Sequence, residues 1–124
     1  MRAQKWILWT VRILLALAFL AAGSSKLAGA APMVATFEKI GIGQWFRYVT
    51  GGVEVSGAIL LLIPMAGFAG ALLLLATMIG ATITHLFVIG GSPAAAIILG
   101  VLAGFIAWRT NPFAAANPTR TGQA

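Results

Sequence analysis

The sequence predicts an all-α membrane protein: a four-transmembrane-helix bundle with a short interfacial helix between the first and second spans. Three observations carry this. Of the 124 residues, 60% are hydrophobic and 8% charged, with a mean hydropathy of +1.00, whereas soluble domains average about 25% charged residues. The apolar residues fall into long runs parted by short breaks such as Pro64-Met-Ala-Gly67 and Gly90-Gly-Ser-Pro93. A span takes about 20 residues, so the chain admits four spans with short connections and hardly a fifth. Residues 1–110 are therefore read as one transmembrane domain, and residues 111–124, mostly Ala, Asn, Pro, Thr and Gly with Arg120, as a disordered C-terminal tail.

Composition also excludes several classes of function. The chain has no cysteine, which rules out disulfides, thiolate catalysis, thiolate zinc sites and Cys-ligated iron–sulfur clusters. The net charge of +6 comes from basic residues scattered singly near span ends. That pattern suits membrane topology and lacks the basic stripe of a nucleic-acid partner. One His with no second acid nearby argues against a metal site. Ser24 and Ser25 have no neighbouring His in sequence to activate them, and the glycine pairs lie inside apolar runs, where they pack helices rather than cradle phosphate.

The first span is placed at residues 6–27. Arg2 and Lys5 before an apolar run resemble a secretory signal, but Arg12 interrupts what would be its apolar core, so the segment is read as a retained helix. Trp6 and Trp9 lie one turn apart where indoles favour the headgroup interface, and Arg12 follows on the side of Trp9. The span closes on Gly23-Ser-Ser-Lys26-Leu27. Residues 32–40 are too polar to cross and too patterned for a loop. Pro32 suits a helix start, and Met33, Val34, Phe37 and Ile40 recur at helical spacing with Glu38 and Lys39 opposite, so a short helix at the interface is expected. Gly41-Ile-Gly43 ends it, and Trp45, Arg47 and Tyr48 anchor the chain before it re-enters the membrane.

The second span, residues 46–65, places Gly51, Glu54, Gly57 or Ala58, and Leu61 on one face, where the small residues admit a close neighbour. The third, residues 68–89, becomes polar late, and its spacing groups Thr77, Ala81, Thr82 and His85. The fourth, residues 94–109, carries Gly100 and Gly104 for close packing and stops at Arg109. Four spans put both termini on one side of the bilayer. Arg2, Lys5, Arg109 and Arg120 there outnumber Lys26, Lys39 and Arg47 opposite, so both termini are expected in the cytoplasm and the protein in the inner (cytoplasmic) membrane.

A carboxylate at bilayer depth costs several kcal/mol unless it is paired, protonated or hydrated, which singles out Glu54. From a rise of about 1.5 Å per residue, Arg12 lies roughly 9 Å in from the cytoplasmic edge and Glu54 roughly 12 Å in from the other. Lys26 and His85 fall near that same outer boundary. Helical side chains lean toward their own N-terminus, so Lys26 and Glu54, on oppositely running helices, converge. Arg12 leans away, toward lipid phosphate or a helix end. Two readings of the polar group Lys26, Glu54, His85 and Arg12 stay open. It fixes helix register, or it binds and protonates a polar head group such as a quinone carbonyl.

Arg12, the Gly23-Ser-Ser-Lys26-Leu27 ending, Phe37-Glu-Lys-Ile-Gly41, Gly51-Gly-Val-Glu54 and Ala81-Thr-Ile-Thr-His85, in that order and spacing, resemble the DoxX and DoxX-like family over most of residues 9–109. The resemblance implies an inner-membrane four-helix bundle with Arg12, Lys26, Glu54 and His85 at its recurrent polar positions. It also implies a link to thiosulfate:quinone oxidoreductase, to oxidative-stress complexes, or to membrane-protein assembly. In this minimal chain it implies an accessory subunit that holds a quinone or a partner redox enzyme rather than a catalyst on its own. A scaffold docking partner helices, itself included as a homo-oligomer, is the alternative. A proton-coupled carrier is third, with one intramembrane acid and no broken mid-span helix to serve it.

Overall fold

A computed structural model describes residues 2–113, and among these every regular element is helical, with no strand. The helices are α1 (Arg2–Ala28), α2 (Ala31–Ile40), α3 (Trp45–Leu62), α4 (Gly67–Thr84) and α5 (Ala94–Thr110). Of the segment expected to be disordered, residues 111–113 are ordered. Asn111 Oδ1 accepts from the Phe113 amide at 2.9 Å, and the Phe113 ring meets Phe68 edge-on. The rest of the expected tail, with Arg120, lies outside the described residues.

The helix ends have local causes. Pro32 sits in the first turn of α2, where its missing amide is no loss. Gly41, at φ 85°, closes that helix with its amide on Phe37 O. α3 ends at Leu62 because Ile63 precedes Pro64 and is pushed to an extended conformation, φ −89° and ψ 121°. A single 3-10 turn over Pro64–Ala66 then leads into α4. Beyond Thr84 the helix widens into a π-helical turn, His85–Ile89, before Gly90 and Gly91, both at positive φ, reverse the chain.

The four long helices pack in sequence, α1 on α3, α3 on α4 and α4 on α5, with α5 returning to α1. Neighbours run antiparallel: the start of α1 meets the end of α3, and Arg47 at the start of α3 meets the end of α1. The contacts of Gly57 with Leu74 and Gly70 with Leu61, and of Gly100 with Met78 and Gly104 with Leu75, run the same way along the other pairs. Small residues set the separations. A Cβ on Gly70 would lie 2.8 Å from Gly57 O and 2.9 Å from Leu61 N, and one on Gly51 would lie 2.9 Å from Gly23 O. Both are backbone contacts that cannot yield, so α3 approaches α4 and α1 as closely as bare helices allow. On α5 a Cβ at Gly100 would stand 3.3 Å from Met78 Cβ, whereas one at Gly104 would stand 4.0 Å from Leu75 Cδ1. Gly104 borders an apolar groove along α4, and the close packing that the α5 glycines suggest is confined to Gly100.

Leu15, Phe19, Leu61, Leu74 and Ile106 fill the core. The outside is just as apolar, with Leu14, Leu17, Ile59, Ile83, Ile98 and Val101 all exposed. A soluble monomer rarely shows so continuous an apolar exterior. Ala3–Ala28 and Pro64–Ile89 are each long and apolar enough to cross a membrane. α5 is apolar but shorter, and α3 holds Arg47 and Glu54 within its 18 residues.

Candidate functional site

The polar residues of the bundle sit at two places. The first is where α1 begins and α3 ends. Arg12, 3% exposed, donates from Nε to Leu61 O at 2.8 Å and from Nη2 to Ile63 O at 2.9 Å, with its guanidinium 4.0 Å above the Trp9 ring. The last carbonyls of a helix have no partner within it, and a planar fork of donors reaches two at once: Leu61 O, and Ile63 O, which also accepts from the Ala66 amide. Gly67 makes the room, since a Cβ there would fall 2.5 Å from Arg12 Nη2. Of the four residues expected to form one polar group, Arg12 thus stands apart as the cap of α3.

The second place is where α1 ends and α3 begins. Lys26 Nζ lies 2.8 Å from Glu54 Oε1, and Glu54 is buried while Lys26 keeps partial exposure. Arg47, which the sequence marks only as an interfacial anchor, is buried here and donates from Nη1 to the Lys26 carbonyl. Its Nε donates to Gln44 Oε1 at 2.8 Å, and Gln44 Nε2 donates to Val34 O at 3.0 Å. The chain of donors ties α3 to the end of α1 and both to α2. Arg12 and Arg47 are therefore reciprocal: each helix of the pair supplies the arginine that caps the other.

The Lys26–Glu54 pair borders a half-enclosed cavity of about 490 Å³, within the range of small-molecule sites. α2 covers it with Met33 and Phe37, the latter edge-on to Phe46 at 5.8 Å. Its walls are mostly apolar, with polar groups from Thr50 on α3, Thr77 and Thr84 on α4, and His85 at the π-helical turn. π-turns interrupt helices most often at functional positions. The sequence groups Thr82 with Thr77 and His85, but Thr82 faces the α4–α5 groove. Five residues beyond Thr77 is about 140° around the helix, whereas Ala81, Thr84 and His85 follow the i+4, i+7 and i+8 positions. Thr36, Thr50 and Thr84 are cavity residues the sequence reading passed over. Their sequence signal is helical spacing, Thr36 to Met33 and Ile40, Thr50 to Glu54 and Thr84 to Thr77, which becomes meaningful once the helices are oriented.

His85 Nδ1 lies 3.0 Å from Gly90 O, a contact made possible by the positive φ of Gly90 and Gly91. Among the described residues, no three of His, Cys, Asp and Glu gather where they could hold a metal ion. The arrangement offers an ion pair and an imidazole beside an apolar chamber, a combination able to orient a polar head group attached to an apolar body.

The sequence model of the DoxX-like family matches residues 10–110, which takes in the ion pair, the cavity, both capping arginines and most of every helix. No curated protein and no solved structure matches the chain.

Proposed function

The chain belongs to the DoxX-like family, and from that premise we propose that it is an inner-membrane protein crossing the bilayer four times, through α1, α3, α4 with its π-helical turn, and α5. Its termini lie in the cytoplasm. α3 and α5 reach about 27 and 26 Å at 1.5 Å per residue, near the thickness of the hydrocarbon core. The absence of cysteine gives a clean test. In intact cells, Lys39→Cys is expected to react with an impermeant maleimide and Lys5→Cys only after lysis. The reverse pattern, or labelling of both, sinks this topology.

Within that frame the protein serves as an accessory subunit of quinone-linked redox metabolism, and its α2-covered cavity holds the quinone head group. One observation carries the reading: a charge pair placed inside an apolar bundle borders a chamber, with Lys26 as its partly exposed member, rather than being enclosed by close-packed side chains. An ion pair needed only for register has no use for that space. Glu54→Gln, which no longer holds the Lys26 ammonium in place, is expected to weaken the affinity of the purified protein for a decyl-substituted benzoquinone about tenfold, a difference of about 1.4 kcal/mol. Affinity equal to the native value removes the reading and returns the pair to helix register in a scaffold.

A further inference from the structure

The polar atoms around the cavity are not balanced between donors and acceptors. Thr36, Thr50, Thr77 and Thr84 each donate their hydroxyl proton to the carbonyl four residues earlier on their own helix, all at 2.8 Å. A hydroxyl has one proton, so each of these threonines turns only lone pairs toward a ligand. The contact of His85 with Gly90 O fixes its tautomer. A carbonyl only accepts, so Nδ1 bears the proton and Nε2 of the neutral ring is an acceptor. Glu54 accepts as well, and Lys26 is its polar partner. Lys26 is the donor among these groups, with one of its three protons directed at Glu54 Oε1.

Resting on the reading of this cavity as a quinone head-group site, we propose that it is built for the reduced form, a hydroquinone on an apolar tail. A hydroquinone hydroxyl donates to a wall of acceptors and also accepts from Lys26. A quinone has two carbonyls and no proton to give. One carbonyl can take a proton of Lys26, while the other faces oxygen and nitrogen lone pairs. A threonine could turn its hydroxyl to that carbonyl only by breaking its own helical bond, an exchange without gain.

The test uses the full chain in lipid nanodiscs under anaerobic conditions. Three probes share one decyl tail: a benzoquinone, its hydroquinone, and the dimethyl ether of that hydroquinone. The hydroquinone is expected to bind about tenfold tighter than the quinone, the size of one to two intramembrane hydrogen bonds. The ether, with no proton to donate, is expected to bind no better than the quinone. The midpoint potential of the bound couple then lies about 30 mV above its value in protein-free bilayers, since tenfold tighter binding of the reduced form of a two-electron couple raises it by that amount. Thr77→Val with Thr84→Val, and separately His85→Leu, lower the affinity for hydroquinone and leave that for quinone in place. A quinone or ether that binds as tightly as the hydroquinone, or an affinity ratio that neither variant moves, overturns this proposal while the head-group site stands. Failure of both redox forms to bind overturns the site as well.

Discussion

Arg12→Met lowers the unfolding free energy of the purified protein by about 2–4 kcal/mol. Two opposing effects set that figure. The guanidinium donates two charge-assisted hydrogen bonds to Leu61 O and Ile63 O, each worth about 1.5–3 kcal/mol, and their loss leaves Leu61 O buried without that donor while Ile63 O keeps the Ala66 amide. Against this, Met removes the cost of burying a cation. The hydrogen bonds win because the guanidinium also stacks on Trp9, which Met does not replace in kind. Arg12→Lys recovers only part of the loss, since an ammonium cannot span two carbonyls in a plane. The cap leaves a second signature in Gly67, whose Cβ position is occupied by the guanidinium. Gly67→Ala is therefore costly in the native protein and nearly silent in Arg12→Met. Denaturant unfolding in detergent of the two single variants and the double measures this coupling. Additive effects, or an Arg12→Met variant as stable as the native chain, would mean that Arg12 reaches the lipid instead.

The sequence carried some of this geometry and not the rest, and the difference lies in how many helices a feature depends on. The buried face of α3, from Gly51 through Glu54, Gly57 and Ala58 to Leu61, follows from the period of one helix. The approach of Lys26 to Glu54 follows from two helices running in opposite directions and the lean of their side chains. The departure of Arg12 toward a helix end rests on the same lean. Arg47 shows where this reasoning stops. Near an aromatic cluster at a span boundary it has every mark of an interfacial anchor, and its ring neighbour Tyr48 lies 4.4 Å away. Its burial against the Lys26 carbonyl depends on how far α1 and α3 slide past one another, and Gly23 and Gly51 set that register by backbone contact no single-helix pattern records.

The cavity was illegible for a similar reason. It exists because α2 lies across α3 and the π-helical turn instead of settling between them, and because Gly90 turns the chain so that His85 faces Gly90 O. Thr82 and Thr84 are two residues apart and about 160° apart around the helix. Periodicity puts them on different faces without saying which face is the chamber. Gly100 and Gly104 form a small-residue face on α5, yet only Gly100 meets a close neighbour, Met78, while Gly104 stands off from Leu75 beside the groove. Small residues permit close approach, and the partner's side chains decide whether it happens.

The largest effects are expected at the ion pair. Lys26→Met and Glu54→Met each strand one charge inside the bundle and each cost about 3–5 kcal/mol. The double variant replaces the pair with apolar side chains of similar reach and recovers most of that loss, because an apolar contact needs no desolvated charges to be matched. Strong coupling in this cycle is the mark of a direct pair, and additive losses would show that the 2.8 Å contact carries no net interaction. The same double variant also separates the two purposes the pair can serve. It is expected to fold and to have lost its affinity for both quinone and hydroquinone, because Lys26 and Glu54 are cavity groups as well as partners. A double variant that folds and binds as the native chain does would assign the pair to helix register and leave the head group to the threonines and His85. Glu54 sits one helical turn from Thr50 on the cavity wall and one turn from Ala58 in the packed core, so its buried carboxylate meets both demands by holding Lys26, the partly exposed member of the pair, at the chamber.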